Sequence, residues 1–194
     1  MNNLKFINSY QKQFQKLIKV NKSDKAKIIQ IFKILNKINQ DAKKVLIFGN
    51  GGSAAIASHA SVDLTKNANI RCVNFNESDL ITCFSNDYGY SRWMEKSVDF
   101  YGEEGDVLIL VSASGKSPNV LKAVKAARKK KFKKIITFSG FSKKNPLKQL
   151  GDINIWVNSQ NYNLVENTHQ FLILLIVDLA INQMKNTFFV FAFF

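Results

Sequence analysis

VLIFGNGGSAAIASHASVDLTK, residues 45–66, joins an apolar run, a glycine-rich turn carrying a serine, and a helical segment holding one of the chain's two histidines. Val45, Leu46, Ile47 and Phe48 form a short unbroken apolar run closed by Gly49, the pattern of a strand buried on both faces. A strand of that kind belongs in a parallel sheet covered by helices on both sides. Gly49, Gly51 and Gly52 have no Cβ, so the turn can take positive φ and bring its N–H groups close to a ligand. Ser53 follows at a helix N-terminus, where unpaired N–H groups and the helix dipole favour an anion such as phosphate. A tight connection with no ligand has the same composition, so this loop alone leaves both readings open. No Gly-Lys-Ser/Thr follows, which excludes a P-loop, and an alanine stands where GxGxxG has its last glycine, which argues against a dinucleotide site.

A second loop of the same construction tips the balance. Residues 106–111, DVLILV, are another buried-strand pattern, followed by Ser112, Ala113, Ser114, Gly115, Lys116, Ser117 and Pro118, then the helical NVLKAVKAARKK. Proline at the first helical position gives up only an N–H that had no intrahelical partner, and three hydroxyls beside it make a second anion cradle. Two such turns on adjacent strands imply one crevice at the carboxyl ends of the sheet.

GNGGSAAIASHASVDLT together with SASGKSPNVLKA resembles the SIS (sugar isomerase) fold, and within it the phosphoheptose isomerase family. The resemblance covers nearly the whole chain. It implies a five-stranded, doubly wound parallel sheet of flavodoxin-like order behind an N-terminal helical hairpin. It also implies conversion of sedoheptulose 7-phosphate to an aldoheptose 7-phosphate in heptose biosynthesis for cell-surface polysaccharide, in a cytoplasmic homotetramer. The substrate-contacting positions carried over are Asn50, Gly51, Gly52 and Ser53 in the first loop, Ser112, Ala113, Ser114 and Ser117 in the second, and the Asn86–Asp87 pair. A plain helix cap would look the same as that pair.

In this family zinc is held by a histidine and a glutamate one turn apart and by a glutamine and a histidine on the last helix; that glutamate and that last histidine do the acid–base work. His59 and Asp63 stand at the first two positions, and their i, i+4 spacing puts both on one helix face, as suits a metal and equally a salt bridge. Glu166 stands at the glutamine position, a third metal-ligand candidate. The fourth position is Leu174, which neither ligates nor transfers a proton. His169 lies three residues after Glu166 on the same face but about 140° from Leu174 on a helix turning ~100° per residue. The resemblance thus implies Asp63 as one catalytic candidate, and His169 is the other as a compensation for Leu174, with a hydrogen-bonded core histidine the plainer reading of His169. A non-catalytic SIS module that binds a phosphosugar or a protein is the alternative to an isomerase.

The remaining sequence is consistent with one domain spanning 1–194: helices over 1–43, an α/β core over 44–185 and an apolar tail over 186–194. The net charge of +14 raises nucleic acid as a partner, but the densest run, RKKKFKK at 128–134, falls at an expected helix end, where cations complement the dipole. Sugar phosphate is the favoured partner and nucleic acid the disfavoured one. Two cysteines outside any metal-type cluster suit a reducing compartment, and from the polar, amphipathic N-terminus no signal peptide is expected. Phe171–Val177 is apolar but ends at Asp178, short of the ~20 residues of a membrane span. Leu4, Ile7, Tyr10, Phe14, Leu17 and Ile18, and then Ile28, Ile31, Phe32, Leu35 and Ile38 after a Ser23 cap, recur at helical spacing. The hairpin they form covers either its own sheet or another subunit. Further strands are expected at 71–75, 134–138 and 152–157, and helices at 77–84, 91–100 and 162–185.

Overall fold

A computed structural model describes residues 2–191. In chain order it contains α1 (Asn3–Ile18), α2 (Lys22–Gln40), β1 (Val45–Gly49), α3 (Gly52–Lys66), β2 (Cys72–Val73), α4 (Ser78–Tyr88), a 3₁₀ turn (Tyr90–Arg92) and α5 (Trp93–Tyr101). The second half contains β3 (Val107–Ser112), α6 (Pro118–Lys129), β4 (Lys134–Ser139), α7 (Pro146–Leu150), β5 (Ile153–Trp156) and α8 (Tyr162–Phe191). The five strands form one parallel sheet in the order β2-β1-β3-β4-β5. After β1 the chain winds outward to β2 and then returns to β3 on the other side. The switch point of the sheet therefore lies between β1 and β3, where a ligand crevice is expected at the strands' carboxyl ends.

Strand alternation divides the core in two. Val45, Ile47, Ile109, Val111, Ile136 and Phe138 face α2, α3 and α8, while Leu46, Phe48, Leu108, Leu110 and Ile135 face α5 and α6. Both sides are dry, so the strands read as continuous apolar runs instead of alternating ones. Trp93 and Val98 point inward from α5, as expected.

Several boundaries differ from the sequence expectation, each for a local reason. Asn21, not Ser23, caps α2: its Oδ1 accepts from the Asp24 N–H at 2.9 Å, and its amide donates to the Asp24 carboxylate at 2.7 Å. β2 shrinks to two residues because Asn74 leaves the ladder to bond Ser61 at 2.6 Å and the Asn76 N–H at 3.1 Å. α4 runs on through Asn86 and Asp87 to Tyr88; the break comes at Gly89, whose φ of 83° a side chain disfavours. The five-residue α7 is too short to register as a period. It rests on Pro146 in its first turn and on Asn145, which accepts from the Lys148 N–H at 2.9 Å.

α8 continues through the start of the apolar tail to Phe191; the rest of that tail, 192–194, lies outside the described residues. Tyr162–Met184 is long and apolar enough to cross a bilayer by length and composition, more than the Phe171–Val177 run suggests. Half of its most apolar window is buried, against α1, α2 and α3, which accounts for the composition.

Candidate functional site

Parallel pairing of Gly49 with Val111 brings the ends of β1 and β3 side by side, so the loops that follow them meet. Between them lies an open hollow of about 300 Å³. Asn50, Gly51, Gly52 and Ser53 line it from the first loop, and Ser112, Ala113, Ser114 and Ser117 from the second. Gly51 turns at φ 55°, the conformation for which a glycine is needed there. Ser117 caps α6 without spending its hydroxyl on a cap hydrogen bond. The two N-termini of α3 and α6 both open here, and the expected convergence of the loops is observed.

A hydrogen-bonded brace ties the loops together. Asn50 and Asn119 exchange amide bonds of 3.0 and 2.9 Å, and Tyr90 donates its hydroxyl to Asn50 Oδ1 at 3.1 Å. Asn119 is buried and also accepts from the Val120 N–H. Neither Asn119 nor Tyr90 was singled out from the sequence. Asn119 follows Pro118 in the first turn of α6, where a polar residue facing the loop is the available signal.

Tyr162 and Glu166 of α8 complete the wall of the hollow. The Glu166 carboxylate lies over Gly52, where any Cβ would run into it. Glu166 and Gly52 also line a neighbouring hollow of about 250 Å³ with Ile56, Asn163, Asn167 and Gln170, so the two spaces adjoin at this carboxylate. Burial raises the Glu166 pKa from its ordinary value.

His59 and Asp63 do meet on α3: Nε2 lies 3.2 Å from Asp63 Oδ2, and Nδ1 lies 2.9 Å from Gln170 Nε2. Asp63 also accepts from Asn67 at 3.0 Å and lines neither hollow. Gln170 was missed from the sequence although it stands four residues after Glu166, one turn along the same face. Asn86 and Asp87 are exposed, bonded to each other at 3.0 Å, and lie off both hollows.

His169 sits in the core instead of on either hollow. It is fully buried, with Nε2 3.2 Å from the Ser139 carbonyl oxygen and an edge-on contact with Phe138. Burial pushes its pKa down to about 4, so it is neutral, and Nδ1 has no hydrogen-bond partner among the described residues. A base whose folded pKa is depressed contributes stability above its unfolded value of 6.5 and loses it as pH falls towards 4. Thermal melts from pH 7.5 to 4.5 should therefore show a loss on the order of 3 kcal/mol that is flattened in His169→Gln, whose amide keeps the bond to Ser139 without titrating.

The donors needed for a metal are not gathered. Leu174 packs against the core and offers none, Glu166 is turned onto Gly52, and both ring nitrogens of His59 face Asp63 and Gln170. Among the described residues no three His, Cys, Asp or Glu side chains stand close enough to share an ion. The residues present do not reproduce a four-ligand zinc site.

Residues 9–140 match the SIS domain family model. The chain is 31% identical to the phosphoheptose isomerase of Fusobacterium nucleatum over 183 residues, 90% of this chain and 93% of that one. It is 36% identical to that of Hamiltonella defensa over 157 residues, 75% of each. The phosphoheptose isomerase structure from Francisella tularensis superposes with a TM-score of 0.84 at 28% identity, covering 94% of this chain and all of that one. The one from Neisseria gonorrhoeae gives 0.82 at 25% identity, covering 93% and 99%. With its doubly wound sheet and paired hydroxyl-lined loops at the β1–β3 switch point, the chain belongs to the phosphoheptose isomerase family of SIS domain proteins.

Proposed function

We propose that the chain interconverts sedoheptulose 7-phosphate and an aldoheptose 7-phosphate, an aldose–ketose isomerisation serving heptose biosynthesis. The observation that carries this reading is the serine-lined hollow adjoining a second hollow across Glu166. In it the phosphate rests on the hydroxyls of Ser53, Ser112, Ser114 and Ser117 and on backbone N–H groups at the two helix N-termini. The sugar chain then passes Gly52 into the second space. Glu166, its pKa raised by burial, takes the proton from C1 of the ketose while the O1 hydroxyl proton passes to O2, and it returns the proton to C2 of the enediolate, leaving the aldose carbonyl at C1. Ketose and aldose are isomers, so no redox partner is consumed. Asp63 and His59 act behind this step by holding Gln170 on the rim of the second hollow.

This reading assigns no step to a metal. Purified protein is expected to carry far less than one zinc per chain, and dialysis against a chelator should leave turnover unchanged; stoichiometric zinc with chelator-sensitive activity would contradict it.

Incubation with sedoheptulose 7-phosphate, followed by detection of the aldose, tests the function directly. Product formation supports it. No turnover combined with phosphosugar-dependent thermal stabilisation would leave the binding-module alternative, which Leu174 favours.

A cytoplasmic homotetramer belongs to the same proposal. Its support is α1, which has no fully buried residue and exposes Leu4, Phe6 and Ile7 at 50% or more, and the two cysteines without a disulfide. Nucleic acid is not part of it. The 128–134 run is largely occupied within the protein: Arg128 holds Asp152, Lys130 donates to the Gly102 carbonyl, Lys131 pairs with Glu104 and Lys133 with Asp41.

A further inference from the structure

A hollow larger than the serine-lined one and its neighbour, about 470 Å³, lies outside β5, where the end of α1, the α1–α2 elbow and the carboxyl end of β5 come together. It shares no lining residue with the serine-lined space. Lys16, Lys19, Lys27 and Lys148 line it against a single carboxylate, Asp24, and that carboxylate is spent. Asp24 pairs with Lys27 at 3.1 Å and accepts from the Asn21 amide at 2.7 Å. For Lys16, Lys19 and Lys148 no ion pair is found among the described residues.

The surplus charge is felt locally. Burial first, then the ammoniums of Lys143 and Lys27, lower the proton affinity of Lys148, and only Asp24 opposes them. An anion here would relieve repulsion that the fold itself leaves standing. The floor, by contrast, is apolar: Leu17, Val20, Ile155, Val157 and Leu172. Beside it stands the indole of Trp156, fixed by its N–H donation to the Gly140 carbonyl at 3.2 Å, with Lys148 Nζ 4.9 Å above the ring centroid. The amides of Gln13, Asn21 and Asn158 supply directional donors and acceptors on the rim.

A cationic rim over an apolar, aromatic-edged floor suits a molecule with clustered phosphates on a flat, weakly polar body. A sugar phosphate has the charge but not the body. We propose that this hollow is a second ligand site, for a nucleoside diphosphate or triphosphate, with the phosphates on the lysines and the base against the floor beside Trp156. It is independent of the isomerase reading.

ADP titrated into the full-length protein tests it. Of the two tryptophans, Trp93 is fully buried in the core, so a ligand-induced change in fluorescence reports Trp156. ADP is expected to quench that emission and raise the melting temperature, with an affinity that falls steeply with salt. In Lys16→Glu/Lys148→Glu the affinity should drop at least about tenfold, the equivalent of ~1.4 kcal/mol. Ser53→Ala/Ser114→Ala should bind ADP as the wild type does. Should the charge-reversed protein prove unstable, Lys16→Ala/Lys148→Ala gives the same comparison.

Five results would overturn the proposal, the first four from the nucleotide titrations. Those four are no response to ADP or ATP, full binding by the lysine variants, loss of binding in the serine variant, and an equal loss in Lys5→Glu/Lys12→Glu, which lie off the hollow. Inorganic pyrophosphate separates the two halves of the ligand: binding as tight as ADP's would remove the base from the proposal and overturn it as a nucleotide site.

Discussion

Glu166→Gln is expected to lower kcat by about 10³-fold, within the roughly 10²–10⁴ that a positioned general base supplies, while KM for the phosphosugar changes little. Glutamine keeps the shape over Gly52 but cannot accept the C1 proton, and the serine hydroxyls proposed to hold the phosphate are untouched. The pH profile provides a second readout. Burial raises the Glu166 pKa, so the acid limb of kcat/KM should sit higher than for an exposed glutamate. The variant should lose that limb. Stability must move the other way. A carboxyl whose folded pKa is raised costs nothing below its unfolded value and destabilises as pH climbs through the folded value, so Glu166→Gln should melt no lower than the wild type at neutral pH. A variant that is inactive because it is unfolded would fail this comparison. Gly52→Ala approaches the same carboxylate from the other side. Its methyl occupies the space of the Glu166 carboxylate, the far end of a flexible side chain, so the carboxylate moves and the helix does not. A large fall in kcat with a melting temperature within a few degrees of wild type is expected.

The sheet was legible in the sequence because both its faces are covered. Val45–Phe48 and the run ending at Val111 could be only strands of one kind, and the switch point followed from their loops. The serine-lined hollow was legible for the same reason: glycine and serine at fixed offsets from a strand end place N–H groups and hydroxyls without help from the rest of the chain. What α8 contributes was not legible in that way. Whether Glu166, His169 or Gln170 faces the loops depends on the rotation of a helix that is apolar nearly all round, and spacing along α8 gives only relative angles. Glu166 and His169 are three residues apart, yet one lies over Gly52 and the other is sealed against Phe138. The turn expected at Asn86 and Asp87 is instead the last turn of a helix that stops at Gly89.

The brace between the two loops sets the last expectation. Each loop is anchored to its own strand, but the distance across the hollow is held by the paired amides of Asn50 and Asn119. Asn119→Ala removes both of those bonds and the one accepted from the Val120 N–H, leaving Asn50 with Tyr90 alone. An unmade bond of that kind at a buried site costs about 1–3 kcal/mol, so a moderate fall in melting temperature is expected. A merely structural residue would do no more than that. If Asn119 positions the loops, the phosphate site also widens, and KM should rise roughly tenfold for each ~1.4 kcal/mol of binding lost, with a smaller change in kcat. Asn119→Asp should separate the two effects. Its carboxylate still accepts from Asn50 Nδ2 and the Val120 N–H, which restores much of the stability. It has no N–H to return to Asn50 Oδ1, and it adds negative charge beside the phosphate, so KM should stay high or climb further. Recovery of both stability and KM in that variant would show that the brace holds the fold and not the ligand.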